Sequence, residues 1–345
     1  MKKHKINYDK LKRTAGMNLD QILLPILLVV ILSFMSVATS FEFLSFTNIR
    51  SMAFQIPELG LFSMAMMLAM MTGGIDLSVI STANFSGVIM ALIMTKAVAE
   101  NSTSGYTFFI VVIAIVVGLV IAMILGLLNG ILVGYIKISP VLATLSTMIL
   151  YEGFSLSITK GKGISGLPNM FLKIGNGSIL GIPLPFIIFA IFVVIILIII
   201  QRTPVGKYQV MIGSNAEAVE YSGINVKKTI LYTYMLSGLM SGIASVIMIS
   251  RINSANARFG TSYVLLSVLI AVLGGTNPEG GYVRVGGVIL ALFTLQILNS
   301  GINALGISQF VALTMWGVLL VLIIIYRRFA TNLRNKYLRE NARNQ

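Results

Sequence analysis

The sequence predicts an all-α fold, a polytopic membrane helical bundle, on three observations: a large apolar surplus, charge-free runs near spanning length, and basic residues gathered at both ends. Of 345 residues, 57% are hydrophobic and 10% charged, and the mean hydropathy is +0.93, against roughly 25% charged residues in soluble domains. A soluble fold cannot bury that much apolar surface. Phe186 to Ile200 and Val311 to Tyr326, with their flanks, approach or reach the ~20 residues that cross ~30 Å of hydrocarbon.

Hydropathy divides the chain into ten spans: about 21–41, 49–71, 79–95, 107–133, 140–158, 185–201, 229–250, 262–275, 285–303 and 309–326. The bases fix their orientation. Lys2, Lys3, Lys5, Lys10, Lys12 and Arg13 precede the first span, and Arg327, Arg328, Arg334, Lys336, Arg339 and Arg343 follow the last. Short basic flanks resist translocation, so both termini are expected in the cytoplasm. Lys137, Arg202, Lys207, Lys227, Lys228 and Arg284 then fall inside as well. Only Arg50, Lys96, Lys160, Lys162, Lys173, Arg251 and Arg258 fall outside. The expected organisation is a basic tail over 1–20, a transmembrane domain over 21–326 and a second basic tail over 327–345. The first apolar run, Ile22 to Val37, lacks a following small-residue cleavage signature and reads as a retained span.

A net charge of +14 raises the question of a nucleic-acid partner, but these bases sit at helix ends rather than on a soluble face among aromatics. They read as topology and attraction to anionic membrane lipid, so no nucleic acid is expected. Cysteine is absent and histidine occurs once, at His4, which excludes thiolate chemistry, a Ser/His/Asp triad and an H-E-x-x-H zinc site. Gly161-Lys-Gly163-Ile-Ser-Gly166 matches G-x-G-x-x-G but follows an apolar helix in an expected external loop, so the dinucleotide reading fails. No G-x-x-x-x-G-K-[ST] phosphate loop occurs; if ATP drives this chain, another subunit supplies the motor, and the chain binds no cofactor of its own.

Several residues are candidates for a transport path. Glu58, Asp76 and Glu152 are acids within or at the ends of spans, where a carboxylate costs a few kcal/mol and faces a partner or water. Asp76 follows Thr72-Gly73-Gly74-Ile75, whose glycines break one helix, and precedes Leu77-Ser78, where another begins. It reads either as a cap on the new helix or as a solute contact. Glu152 reads as a headgroup-level acid or a path residue. Asn129 and Asn299 sit in similar settings, Leu128-Asn-Gly130 and Leu298-Asn-Ser-Gly301, on spans of opposite direction, which hints at an inverted repeat. Gly118, Ala122, Gly126, Gly130 and Gly134 form a ladder of small residues for close helix packing. Met64, Met67 and Met71 make an apolar stripe that also reads as packing.

Two loops are long: Thr159 to Leu184, expected outside, and Gln201 to Lys228, expected inside. In the second, Gly213-Ser-Asn-Ala-Glu-Ala-Val-Glu-Tyr-Ser-Gly223 reads as a short helix closed by glycine at each end. Ser214 or Asn215 caps it, Glu217 lies in its first turn beside the helix dipole, and Ala218 and Ser222 complete it. Such an element on the cytoplasmic side, within about 202–228, resembles a docking helix.

Taken together, Gly73-Gly-Ile-Asp-Leu-Ser78, Gly126-Leu-Leu-Asn-Gly130, Lys137-Ile-Ser-Pro140, Ala143-Thr-Leu-Ser-Thr147, Thr203-Pro-Val-Gly-Lys-Tyr208, Asn215-Ala-Glu-Ala218, Ser222-Gly-Ile224, Leu273-Gly-Gly-Thr276 and Gly280-Gly281 resemble the permeases of bacterial ABC importers for ribose, xylose, arabinose, galactose and related solutes. The blocks run from about 50 to 325 in family order. The resemblance implies a non-catalytic subunit of the bacterial inner membrane that moves a monosaccharide or similar polar solute by alternating access. It implies a cytoplasmic ATP-binding subunit that hydrolyses the ATP, an extracytoplasmic solute-binding protein, and a second permease copy or sister permease. It makes Glu217 to Gly223 the coupling helix, with Val219 where the family pattern has alanine. A nucleoside or signalling-molecule permease uses the same scaffold. An ion-coupled secondary transporter also uses broken helices and midplane carboxylates, and an intramembrane enzyme lacks the histidines and paired carboxylates it needs.

Overall fold

The computed structural model describes residues 24–99 and 102–308, together with 310–312, 314–318, 321 and 325. The basic tails expected over 1–20 and 327–345 lie outside these residues, as does part of the tenth expected span.

Twelve helices are described. They are α1 Leu24–Ala38, α2 Phe46–Met71, α3 Val79–Ala97, α4 Ser104–Gly134, α5 Pro140–Thr159, α6 Asn169–Asn176, α7 Leu184–Arg202, α8 Pro204–Ser214, α9 Ala216–Tyr221, α10 Val226–Ile252, α11 Tyr263–Leu273 and α12 Val285–Ala304. Seven of them, α2, α3, α4, α5, α7, α10 and α12, are long and apolar enough to cross a membrane. They match seven of the expected spans within three residues at either end. The expected spans at 21–41 and 262–275 appear as the shorter apolar helices α1 and α11, and an 11-residue helix rises only about 17 Å, too little to cross alone.

The bundle is organised around α2, whose residues from Ile56 to Met71 are all buried. Met64, Met67 and Met71 lie in this core, as the packing reading requires. From Gly126 to Gly134 the glycine ladder of α4 meets α10 at backbone distance, while Gly118 faces the Met90 side chain of α3. A Cβ on Gly126 would collide with the Tyr234 carbonyl, and one on Gly130 would lie 2.8 Å from the Leu231 Cα. Small residues allow this approach, and dispersion then does the work that water does for soluble helices.

The segment after Thr159 contains α6, a short hairpin of β2 Ser178–Ile179 with β3 Ile182–Pro183, and β1 Ile164–Ser165, which pairs with the distant β4 Ser254–Ala255 after α10, both pairings antiparallel. Gly161, Gly163 and Gly166 therefore flank an antiparallel two-residue strand, with no βαβ frame around them. The segment expected as the internal loop holds a further helix, α8, whose Thr203 side chain accepts the Gly206 N–H at its start.

Candidate functional site

The break between α2 and α3 builds the first candidate site. Helix α2 ends in a Schellman closure: Gly73 N–H donates to Met70 O at 3.0 Å and Gly74 N–H to Ala69 O at 3.2 Å, with Gly73 at φ +82°. Gly74 is needed for a different reason, since a Cβ there would collide with the Tyr234 hydroxyl and lie 3.1 Å from Pro140 Cβ. The two glycines let the chain turn and let α5 and α10 close over the turn.

Asp76 lies at this turn and is buried. Its Oδ1 accepts the Ser78 N–H at 3.0 Å and the Ser78 hydroxyl at 2.6 Å, and its Oδ2 accepts the Ser237 hydroxyl at 2.9 Å. The expected helix cap thus takes a more local form, an Asx-type bond to the residue two positions on, and Ser78 occupies the N-cap position of α3. Asn129 Nδ2 donates to Ser78 Oγ at 2.7 Å, and the Thr147 hydroxyl donates to Asn129 Oδ1 at 2.7 Å. Thr144 Oγ1 accepts the Leu77 N–H at 3.1 Å and lies 2.9 Å from the Ile75 carbonyl. From Thr147 through Asn129 and Ser78 each side-chain donor points toward the Asp76 carboxylate, so each bond polarises the next, while the Thr144 hydroxyl bonds main chain. The hub ties the broken helix to α4, α5 and α10.

The structure therefore brings Gly73, Gly74, Asp76, Ser78 and Asn129 together, and separates Glu152 and Asn299 from them. Glu152 pairs with Arg258 at 2.6 Å, and the arginine side chain is 67% exposed. An exposed pair contributes little, so Arg258→Ala is expected to change thermal stability by less than about 1 kcal/mol, as read from unfolding in nanodiscs. Asn299 lies half-buried on α12, which packs against α2 and α11. The two asparagines that hinted at an inverted repeat thus stand in different surroundings.

Thr144, Thr147 and Ser237 are hub members that the sequence reading did not single out. A signal existed on α10: Thr229, Thr233, Ser237, Ser241 and Ser245 place a buried hydroxyl at every fourth residue of an apolar span. Ser245 donates to Ala83 O at 2.6 Å and Thr233 accepts from Gln209 Nε2 at 2.9 Å.

A second polar group occupies the N-terminal half of α2, up to its midpoint. Glu58 is buried and lies 3.1 Å from Arg251 Nε, in an ion pair whose N–H is not aligned for a hydrogen bond. Arg251 Nη1 donates to Phe54 O at 3.1 Å. Gln296 donates to Gln55 at 3.0 Å and Ser300 to Asn48 at 2.9 Å, so polar bonds join α2 to α10 and α12 there.

Helix α9 is the remaining candidate. Asn215 caps it by accepting the Ala218 N–H at 2.9 Å, and Gly223, at φ +81°, closes it with a second Schellman turn. Glu217 lies in the first turn, and of the six helical residues only Val219 is buried. The departure from alanine at 219 thus faces the protein's own interior, while Glu217, Ala218 and Ser222 face outward. Gly213 does not bracket this helix as expected: it belongs to α8, because the run from Pro204 to Ser214 forms a helix of its own. Among the described residues no group of His, Asp or Glu is placed to hold a metal ion.

Comparison with known proteins bears on these features. Residues 48–326 match the family described as the branched-chain amino acid transport system / permease component. The chain is 37% identical over 289 residues to the ribose import permease protein RbsC of Bacillus subtilis, covering 83% of this chain and 86% of that protein. It is 32% identical over 273 residues to RbsC of Haemophilus influenzae, covering 78% and 81%. It is 28% identical over 275 residues to the autoinducer 2 import system permease protein LsrD of Yersinia enterocolitica, covering 78% and 80%. No solved structure gives a significant match. With a family match over most of its length and a helical bundle of spanning dimensions, this chain belongs to the permease components of ABC-type import systems.

Proposed function

We propose that this permease imports a monosaccharide, with ribose first among the candidates, or a similar polar solute across the bacterial inner membrane, driven by ATP hydrolysed on a separate subunit. The observation that carries the reading is α9, a short, capped and almost wholly exposed helix between two long apolar helices. An exposed helix with a first-turn carboxylate suits docking into a groove of a cytoplasmic ATPase. The distribution of bases argues for cytoplasmic termini and for α9 on the cytoplasmic side.

A second permease copy is supported by α5. Helices α4, α5 and α7 are similarly uncovered, with 28%, 28% and 22% of their apolar windows buried, yet their mean hydropathies are 3.4, 1.4 and 3.2. Helices that face lipid need the high value, and α5 has that of the central helix α2. Its open face mixes Ser146, Gly153 and Ser157 with Leu142, Ile149 and Phe154, which suits a partner protein. Alternating access then moves α5 relative to the hub that holds Thr144 and Thr147. An extracytoplasmic solute-binding protein delivers the solute.

The test is uptake by the chain reconstituted in liposomes with its ATPase and binding protein. ATP-dependent uptake of ribose is expected, with autoinducer 2 as the competing solute. Glu217→Lys and Gly223→Ala are expected to reduce uptake strongly at unchanged membrane level. Uptake on a proton or sodium gradient with no ATPase present would overturn the reading. The absence of cysteine allows a second check: Glu217→Cys should react with an impermeant thiol reagent only from the cytoplasmic side.

A further inference from the structure

The last turn of α8 ends against two other segments with no side chain between them. A Cβ on Gly213 would collide with the Met71 carbonyl at the end of α2 and with the Gly281 nitrogen. One on Gly280 would lie 2.7 Å from both the Gly213 Cα and the Gly73 nitrogen. Gly281 N–H donates to Met71 O at 3.2 Å, and a Cβ on Gly73 would lie 3.1 Å from Glu279 O. The turn that supplies Gly280 and Gly281 is braced by its own bonds, from Asn277 Nδ2 to Gly280 O at 2.8 Å and from Asn277 N–H to Tyr282 O at 3.1 Å. Three backbones thus meet at hard-sphere distance.

The position of this meeting point gives it a consequence. On one side, α9 begins directly after Ser214 and Asn215. On the other, Met71 leads through Gly73 and Gly74 to Asp76 and its hub. Side-chain contacts absorb small displacements by changing rotamer, but backbone against backbone cannot. We infer that Gly213, Gly280 and Gly73 form a rigid joint that passes the position of α9 to the Asp76 hub, which makes them positioning residues for transport. The inference rests on the reading of α9 as the docking helix.

The full complex with its ATPase and solute-binding protein, in liposomes with ribose as probe, tests the joint. Gly213→Ala forces the three backbones apart, and ribose taken up per ATP hydrolysed is expected to fall at least roughly tenfold, within the ~10²-fold that a ~1 Å misplacement can cost. Co-purification of the ATPase is expected to be unchanged. Gly286→Ala is the matched control, since Gly286 is a helical glycine with nothing within 4 Å of its Cβ position, and it should leave the ratio unaltered. A second measurement does not depend on how well the alanine variant folds. Ser214→Cys and Glu279→Cys, both at exposed positions of a cysteine-free chain, are joined by a short bis-maleimide. Segments that travel as one body tolerate the bridge, so uptake is expected to persist. A normal uptake ratio in folded Gly213→Ala, loss of ATPase binding in that variant, or arrest of uptake by the bridge would each overturn the joint. A wild-type complex that takes up neither ribose nor autoinducer 2 with ATP strikes the importer reading itself, is seen before any variant is compared, and takes the inference with it.

Discussion

Asp76→Ala is expected to abolish uptake and to lower the melting temperature of the protein, whereas Asp76→Asn is expected to keep the fold and most of the transport. Removing the carboxylate strands the buried Ser78 N–H and leaves the hydroxyls of Ser78 and Ser237 without their acceptor. A buried donor left unpaired costs roughly 1–3 kcal/mol. The Ser237 hydroxyl can turn back to a carbonyl on its own helix, so the net loss is on the order of 3 kcal/mol. Asparagine keeps an oxygen for both Ser78 bonds and presents an amide to Ser237, whose hydroxyl then accepts. Uptake and thermal unfolding of the two variants, measured side by side, separate the roles of shape and charge. An asparagine variant as stable as the parent yet as inactive as alanine would sink the role of Asp76 as an acceptor and assign transport to its charge.

The second large effect lies halfway along α2. Arg251→Met leaves Glu58, 1% exposed, without the guanidinium 3.1 Å away, and breaking a buried pair from one side costs about 3–5 kcal/mol. The reverse change, Glu58→Leu, is expected to cost less. Arg251 retains its bond to Phe54 O and is near the end of α10, where a long side chain can extend its head to water. The double variant should recover most of the stability of the parent, because two apolar side chains of similar volume pack where two charges needed each other. Unfolding of the four proteins in nanodiscs gives the coupling directly. A loss below about 1 kcal/mol in Arg251→Met would mean that Glu58 does not depend on Arg251.

The helices were legible in the sequence because lipid demands long apolar runs, and the break at Gly73-Gly74 was legible because paired glycines have few other uses in a span. Asp76, Ser78 and Asn129 stood out as polar residues in apolar surroundings. Thr144, Thr147 and Ser237 did not, since small hydroxyl residues commonly bond to their own helix and carry no mark of a distant partner. Their period of four on α10 was the available sign. Glu152 and Asn299 had the same apparent credentials as Asn129, but which face of a helix meets protein is decided by packing. Gly213 was misplaced for a related reason. A glycine that ends a helix and one that admits a neighbouring backbone look alike in one dimension, and only the fold distinguishes them.

The seam between α4 and α10 has one more consequence. Ala122, Gly126 and Gly130 face Gly238, Tyr234 and Leu231 through main chain rather than side chain, so this pair has no second arrangement of comparable density available to it. The two helices act as a keel. Relative movement during a transport cycle is then expected among the neighbours held by individually breakable bonds, such as α5, which meets the keel through Thr147 to Asn129 and the Tyr151 hydroxyl to Leu125 O at 3.0 Å.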